Sequence, residues 1–87
     1  MTDLELLERI VSDPLVMTGK PVVRGTRLAV DFILGLLAHG ASEADILAEY
    51  PGLAREDIQA CLCFSARSLA STTFMPLARD PGSRLSG

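Results

Sequence analysis

The chain has 87 residues and a net charge of −3, so it holds one small domain and is not a general phosphate-coating, nucleic-acid-binding protein. Hydrophobic residues make up 48% and aromatic residues 5%, which excludes a disordered chain and suits an aliphatic core of packed helices. Because so small a domain buries a small fraction of its surface, we expect a second copy to stabilise it.

Residues that carry metal, redox or catalytic chemistry are few. Cys61 and Cys63 match no zinc or redox spacing, and His39 is the only histidine in the sequence. Because the sequence has no Ser/His/Asp set and no phosphate-binding glycine loop, we expect no enzyme, no catalytic residue, no metal and no cofactor. It opens with no leader and has no apolar run long enough for a bilayer, which predicts a cytoplasmic protein without membrane contact.

The first thirty residues predict short extended segments. Ile10-Val11 precedes a turn-forming Asp-Pro pair, which indicates a strand near residues 8–12. Two glycines and a proline interrupt the following stretch, so no helix is expected there. Residues 22–23 and 28–30 are both extended candidates, and we expect residues 28–30 to pair with Ile10-Val11 in a small sheet.

Three helices are predicted in the rest of the domain. Apolar residues at helical spacing place the first over about residues 31–39, with Gly40 as its stop. Ser42 begins a capping box that starts a second helix over about residues 43–50. The third helix is expected over residues 55–70.

This third helix is predicted to bury one stripe and to begin without a good cap. Ala54 stands at its N-cap, where an alanine costs about 1 kcal/mol relative to Ser or Thr. Glu56 and Asp57 in the first turn suit the positive end of the helix dipole. The residues expected to face the core are Ile58, Cys61, Leu62, Ser65 and Leu69.

A short helix, a compact turn and a longer helix are typical of a DNA-reading helix-turn-helix. Arg55 and Gln59 at the start of the third helix are residue types that contact base edges. Glu56 and Asp57 would face phosphates badly, so a purely structural role for the two helices is the alternative.

Three basic residues, Lys20, Arg24 and Arg27, lie close together with no acid between them. Such a cluster could bind DNA phosphates or the carboxylates of a partner protein. The alternative is that the arginines pair with local acids such as Asp13 and Asp31 and only fix the loop.

Apolar residues exceed what a small three-helix core needs. Phe32 and Leu36 lie opposite the core stripe of the first helix, which suggests another subunit on that side. Residues 71–87 are predicted to form an irregular tail with Phe74, Met75 and Leu77 as apolar anchors. A surplus of this kind is typical of protein interfaces.

Several short motifs resemble one family. The sequence Arg-Ile-Val-Ser-Asp-Pro at residues 9–14 is followed by Met17, Gly-Lys-Pro at 19–21 and Arg-Gly-Thr-Arg at 24–27. These motifs resemble the family labelled domain of unknown function 433, and the similarity extends over residues 8–70. The later part of the pattern consists of Val30, Gly40-Ala41-Ser42, Ile46-Leu47, Tyr50-Pro51, Leu53 and Asp57-Ile58. Ala29 departs from a common proline, and Ala54 from a usual Ser or Thr cap.

The resemblance implies a homeodomain-like helical domain, usually dimeric, with a short β addition and similarity to Vap-type antitoxins. It also implies a cognate toxin, a nuclease-like protein of PIN-type fold encoded by a neighbouring gene. We expect the tail to present Arg79 or Arg84 to the acidic, metal-binding site of that toxin.

The expected fold is mainly α: a three-helix homeodomain-like helix-turn-helix bundle with a short N-terminal β-hairpin or small sheet. Residues 1–70 form the domain and residues 71–87 the tail. The expected function is an antitoxin of a type II toxin–antitoxin system that neutralises its toxin and autoregulates its promoter as a homodimer. The alternatives are a DNA-binding regulator without a toxin and a dimeric protein-interaction module.

Overall fold

A computed structural model describes residues 1–12, 14–15 and 19–70. This part of the chain is mainly helical and carries a small two-stranded antiparallel sheet near its N-terminus, which confirms the predicted fold class. The elements in chain order are α1 (Asp3–Leu7), β1 (Ile10–Ser12), β2 (Pro21–Val23), α2 (Val30–Ala38), α3 (Glu43–Glu49) and α4 (Arg55–Ala70).

The sheet pairs β1 with β2, so the predicted pairing of residues 28–30 with Ile10-Val11 is wrong. Val11 lies opposite Val22 in the β1–β2 register. Ala29 instead forms a single antiparallel bridge to Val22 on the far edge of β2. The physical reason is the tight turn after β2, which returns the chain at once along the free edge of that strand.

Helix α1 was not predicted, although its start has a clear signal. The Thr2 side chain accepts from the Glu5 backbone N–H, and Glu5 Oε1 accepts from the Thr2 backbone N–H at 2.8 Å. This is a complete capping box, and it begins a helix that packs against α4. Arg67 of α4 lies 3.4 Å from Asp3 at the start of α1.

The other three helices agree with their predicted spans to within one residue. Gly40 has φ +99°, a left-handed conformation that ends α2. His39 Nδ1 lies 2.7 Å from the Gly35 carbonyl oxygen at the C-terminal end of this helix. The capping box of α3 is also confirmed, because Ser42 and Asp45 exchange backbone and side-chain hydrogen bonds.

The core lies where β2 and the helices α2, α3 and α4 meet. Its most buried large side chains are Val23, Ile33, Ile46, Ile58 and Cys61, and Leu53 fills the turn between α3 and α4. None of the described helices is both long and apolar enough to cross a membrane.

The predicted core stripe of α4 is partly wrong. Ile58 and Cys61 are buried as expected, but Leu62 is 47% exposed and Leu69 71% exposed. The N-terminal segment contacts α4 at Asp57 and Arg67, so it covers a side of the helix that the prediction left open. The buried arc is therefore rotated toward Asp57 and Ala60, and both leucines face away from the core.

Candidate partner-binding surfaces

A rigid turn follows β2 and holds two exposed arginines. Gly25 supplies the left-handed residue of this turn, with φ +80°. Thr26 stabilises the turn, because its backbone N–H and its hydroxyl both donate to the Val23 carbonyl, at 3.0 and 2.8 Å. Arg24 and Arg27 are solvent-exposed on either side of Gly25. Their positions are therefore set by backbone geometry rather than by ion pairs.

The predicted basic cluster is divided by the structure. Lys20 Nζ lies 3.0 Å from Asp31 Oδ2, and this contact lowers the pKa of Asp31 below its usual value. Among the described residues, no carboxylate forms a salt bridge with Arg24 or Arg27. The alternative of arginines paired with local acids therefore fails for Asp31, whereas Asp13 lies outside the described residues.

Arg27 and Lys20 line an open cleft of about 520 Å³ at the start of α2. The floor of this cleft is apolar and includes Leu28 and Phe32. Phe32 is 43% exposed, which agrees with its predicted place opposite the core. We call this surface the basic cleft.

A second groove, of about 200 Å³, lies between α2 and α3. Leu36 and Tyr50 form its apolar part, and Asp45 and Glu49 supply its charge. Leu36 is partly buried and packs against the core, so its predicted place opposite the core stripe of α2 is wrong. The rings of Phe32 and Tyr50 contact edge to face, with centroids 5.8 Å apart and planes at 85°. This acidic groove therefore meets the basic cleft at one aromatic pair.

The solvent-exposed face of helix α4 carries both charged and apolar residues. Arg55 at its start forms a 3.3 Å ion pair with Glu43 of α3, so its charge is partly engaged within the chain. Gln59 is half-buried one turn later. From there the exposed positions at helical spacing are Leu62, Ala66 and Leu69. We call these three residues the α4 apolar stripe, and it is the surface that the sequence prediction missed.

A third cleft, of about 500 Å³, lies between α1, the turn after β2 and α4. Arg9 Nη1 donates to Asp57 Oδ1 at 2.9 Å at this cleft, and Arg24, Glu5 and Glu8 also line it. Arg24 thus belongs to a different surface from Arg27. Asp57 is 8% exposed and its charge is paired with Arg9, whereas Glu56 in the same turn remains partly exposed.

The described residues contain no group of three His, Cys, Asp or Glu side chains placed to hold a metal ion. Burial raises the pKa of the Cys61 thiol from 9.0 to about 11, with the charge of Asp57 as a smaller cause. Cys63 is a free thiol with partial exposure. The predicted partner-binding residues of the tail lie outside the described residues: Phe74, Met75, Leu77, Arg79 and Arg84.

The model of the family described as protein of unknown function (DUF433) matches residues 10–65, well over half of the chain. The chain belongs to the DUF433 family. A crystal structure of a DUF433 member from Anabaena variabilis is similar to it at 29% sequence identity, with a TM-score of 0.68. The similarity covers 77% of this chain and 67% of the Anabaena chain. No curated protein matches the chain.

The matched span tells which surfaces the DUF433 domain contains. Residues 10–65 include both strands, the turn with Arg24 and Arg27, and the three helices that form the core. Helix α1 and the last turn of α4 lie outside the match. The basic cleft and the acidic groove are thus parts of the family domain, whereas Leu69 and the tail are additional to it.

Proposed function

We propose that this DUF433 chain is the antitoxin of a bacterial type II toxin–antitoxin pair and that it binds and neutralises a nuclease-like toxin of PIN-type fold. The observation that carries the proposal is the α4 apolar stripe, which leads directly into residues 71–87. In sequence, this exposed helix face is followed at once by a segment with apolar and basic residues: Phe74, Met75, Leu77, Arg79 and Arg84.

The chemistry of the stripe favours a protein partner. Leu62 is 47% exposed and Leu69 71% exposed, and the small residue Ala66 lies between them, so this face of α4 offers apolar contact to a partner. A DNA-reading helix would instead carry Arg, Lys, Asn or Gln at such positions. Of the two predicted base-contacting residues, Arg55 forms an ion pair with Glu43 and Gln59 is half-buried.

The tail adds charge of the sign that an acidic nuclease site attracts. Residues 71–87 contain Arg79 and Arg84 and one acid, Asp80. The proposed mechanism is that Leu62 and Leu69, with apolar residues of the tail, cover the toxin surface while a guanidinium pairs with the carboxylates that hold the catalytic metal of the toxin. Bidentate pairing of arginine with carboxylates suits this role.

Coexpression with the product of the neighbouring gene tests the proposal. The full chain is expected to copurify with that product and to suppress its toxicity to growth. Deletion of residues 71–87, and separately the pair Leu62→Glu and Leu69→Glu, should each weaken the complex by at least tenfold. Leu4→Glu is the matched control, because Leu4 is also 71% exposed but lies on α1. No complex, or equal affinity for all variants, would contradict the proposal.

Promoter binding is a second candidate, and the turn with Arg24 and Arg27 favours it. Two guanidiniums without a salt-bridging carboxylate among the described residues can reach DNA phosphates. A mobility shift on the upstream promoter should weaken steeply with salt and should be lost in an Arg24→Gln, Arg27→Gln variant. A regulator without a toxin would shift that DNA and bind no neighbouring-gene product.

A further inference from the structure

We infer that residues 77–84 of the tail dock in the acidic groove of their own chain. In this arrangement Arg79 pairs with Glu49 of α3, and Leu77 enters the apolar part of the groove. The inference goes beyond the proposed function, because it concerns the chain without any partner. One consequence rests on the proposed function: a docked tail is not available to the toxin.

Glu49 gives the acidic groove its available negative charge. Of the other acids on α3, Glu43 is paired with Arg55, and Asp45 accepts from the Ser42 N–H in the capping box. Glu49 is solvent-exposed at the groove and forms no salt bridge within the described residues. None of the described residues that line the groove is basic. Its charge therefore favours a cationic group from another part of the chain.

The walls of the groove are apolar and suit side chains. Leu36, Ala41 and Tyr50 are partly buried there, and Ile46 forms the buried base. The groove, of about 200 Å³, accepts side chains of an extended segment more readily than a second helix, which is about 10 Å across. The occupant that fits has an apolar side chain and a cation close together.

Residues 77–84 have this complementary chemistry. They hold Leu77, Arg79 and Arg84 and a single acid, Asp80. In an extended segment, residues two positions apart point to the same side, so Leu77 and Arg79 can enter one groove together. A guanidinium also pairs with a carboxylate through two parallel hydrogen bonds. The basic cleft, where Arg27 is exposed, would instead repel Arg79.

The length of chain between α4 and Arg79 is sufficient to reach α3. Helix α4 has 16 residues and is about 24 Å long. Its first residue, Arg55, is paired with Glu43 of α3, so Ala70 lies about one helix length from α3. Arg79 follows Ala70 by nine positions, and nine extended residues span about 30 Å. Phe74 follows by four positions, and a span of about 13 Å is too short.

Paramagnetic relaxation in the full chain, without any toxin, tests the inference. A nitroxide is attached at Ala78→Cys, between the two proposed contact residues, in a Cys63→Ser background. Because Cys61 is buried, the new thiol is the one that reacts. The nitroxide should at least halve the heights of the backbone amide signals of Ala41 and Glu49, relative to the same label in its reduced, diamagnetic form.

Charge reversal gives the specific readout. Glu49→Arg should remove the broadening, and Glu49→Arg with Arg79→Glu should restore it, because the pairing is then reversed in sign. The Glu49→Arg chain should keep its fold, since a basic residue at the last position of a helix suits the helix dipole. Glu8→Arg is the matched control and should leave the broadening unchanged. Glu8 is also exposed and without a salt bridge within the described residues, but it lines the cleft beside α1.

Groove signals that the nitroxide leaves unchanged would overturn the inference. So would broadening that persists in Glu49→Arg. A mixture of spin-labelled chains with separate isotope-labelled chains gives a third check, because equally strong broadening there would place the tail in the groove of another copy and overturn docking within one chain. Since the toxin is absent from these measurements, failure of this inference is distinguishable from failure of the proposed function.

Discussion

Arg9 and Asp57, which are 48 positions apart in the chain, form a 2.9 Å ion pair that joins the end of the N-terminal segment to the first turn of α4. The two oxygens of Asp57 have different partners. Oδ1 accepts from Arg9, and Oδ2 accepts from the Ala54 backbone N–H at 2.8 Å. One largely buried carboxylate therefore caps α4 and holds α1 and β1 against it.

Replacement of Asp57 should destabilise the domain strongly. Asp57→Ala removes the cap and leaves the Arg9 guanidinium without its partner, and we expect the free energy of unfolding to fall by about 3 kcal/mol. Asp57→Asn keeps an oxygen for the Ala54 N–H and should cost less. Urea denaturation followed by circular dichroism measures both. Its control is Asp3→Asn, which removes only the exposed, 3.4 Å contact with Arg67 and should cost less than about 0.5 kcal/mol.

Replacement by alanine should have opposite effects on stability at two glycines, Gly35 within α2 and Gly40 just after its end. Gly40→Ala places a side chain at φ +99° and should lower the free energy of unfolding by about 1 kcal/mol. Gly35→Ala has ordinary helical geometry and open space, so it should raise the stability of the monomer by about 1 kcal/mol. Thermal unfolding at low protein concentration compares the two. An equal sign at both sites would contradict the structural assignment.

The capping box of α3 predicts a specific loss of stability in acid. Hydrogen bonds from Ser42 hold the pKa of Asp45 below its usual value of 3.8. Since the folded pKa is lowered, this contribution is present above pH 3.8 and is lost as the pH falls through the folded pKa. Stability measured from pH 6 to pH 2 should show a shallower acid limb for Asp45→Asn. An acid limb identical to that of the wild-type chain would exclude this contribution.

The two thiols should differ in reactivity. Burial raises the pKa of the Cys61 thiol to about 11, so it is protonated at pH 8 in the folded chain, and its side chain is buried. Cys63 is partly exposed on the same helix. At pH 8 a thiol reagent should label Cys63 quickly and Cys61 only after unfolding. Cys63→Ser should remove the fast phase, and a fast phase that remains in that variant would contradict the assignment.

The sequence predicted the helices α2, α3 and α4 well because each has local signals. Ser42 with Asp45 starts α3, and the left-handed Gly40 ends α2. Thr2 with Glu5 is an equally local signal for the start of α1, although no helix was predicted there. Local signals were enough for these elements because a cap acts within one turn of its helix.

Long-range pairing was less predictable from sequence. Periodicity alone could not show that Arg9 would reach Asp57, nor that this contact would rotate the buried side of α4 and expose Leu62 and Leu69. The partner of β1 depended on the tight turn at Gly25, which sends residues 28–29 to the far edge of β2. The proposed binding surfaces follow from these contacts rather than from any motif.

Inhibition of the neighbouring-gene product tests the proposed function most directly. The ribonuclease activity of that product is measured at increasing concentrations of the wild-type chain, of the Leu62→Glu, Leu69→Glu variant and of the Leu4→Glu control. We predict that the wild-type chain and Leu4→Glu inhibit equally and that the α4 variant requires at least tenfold more protein. Activity that the wild-type chain leaves unchanged, or equal inhibition by all three proteins, would contradict the account.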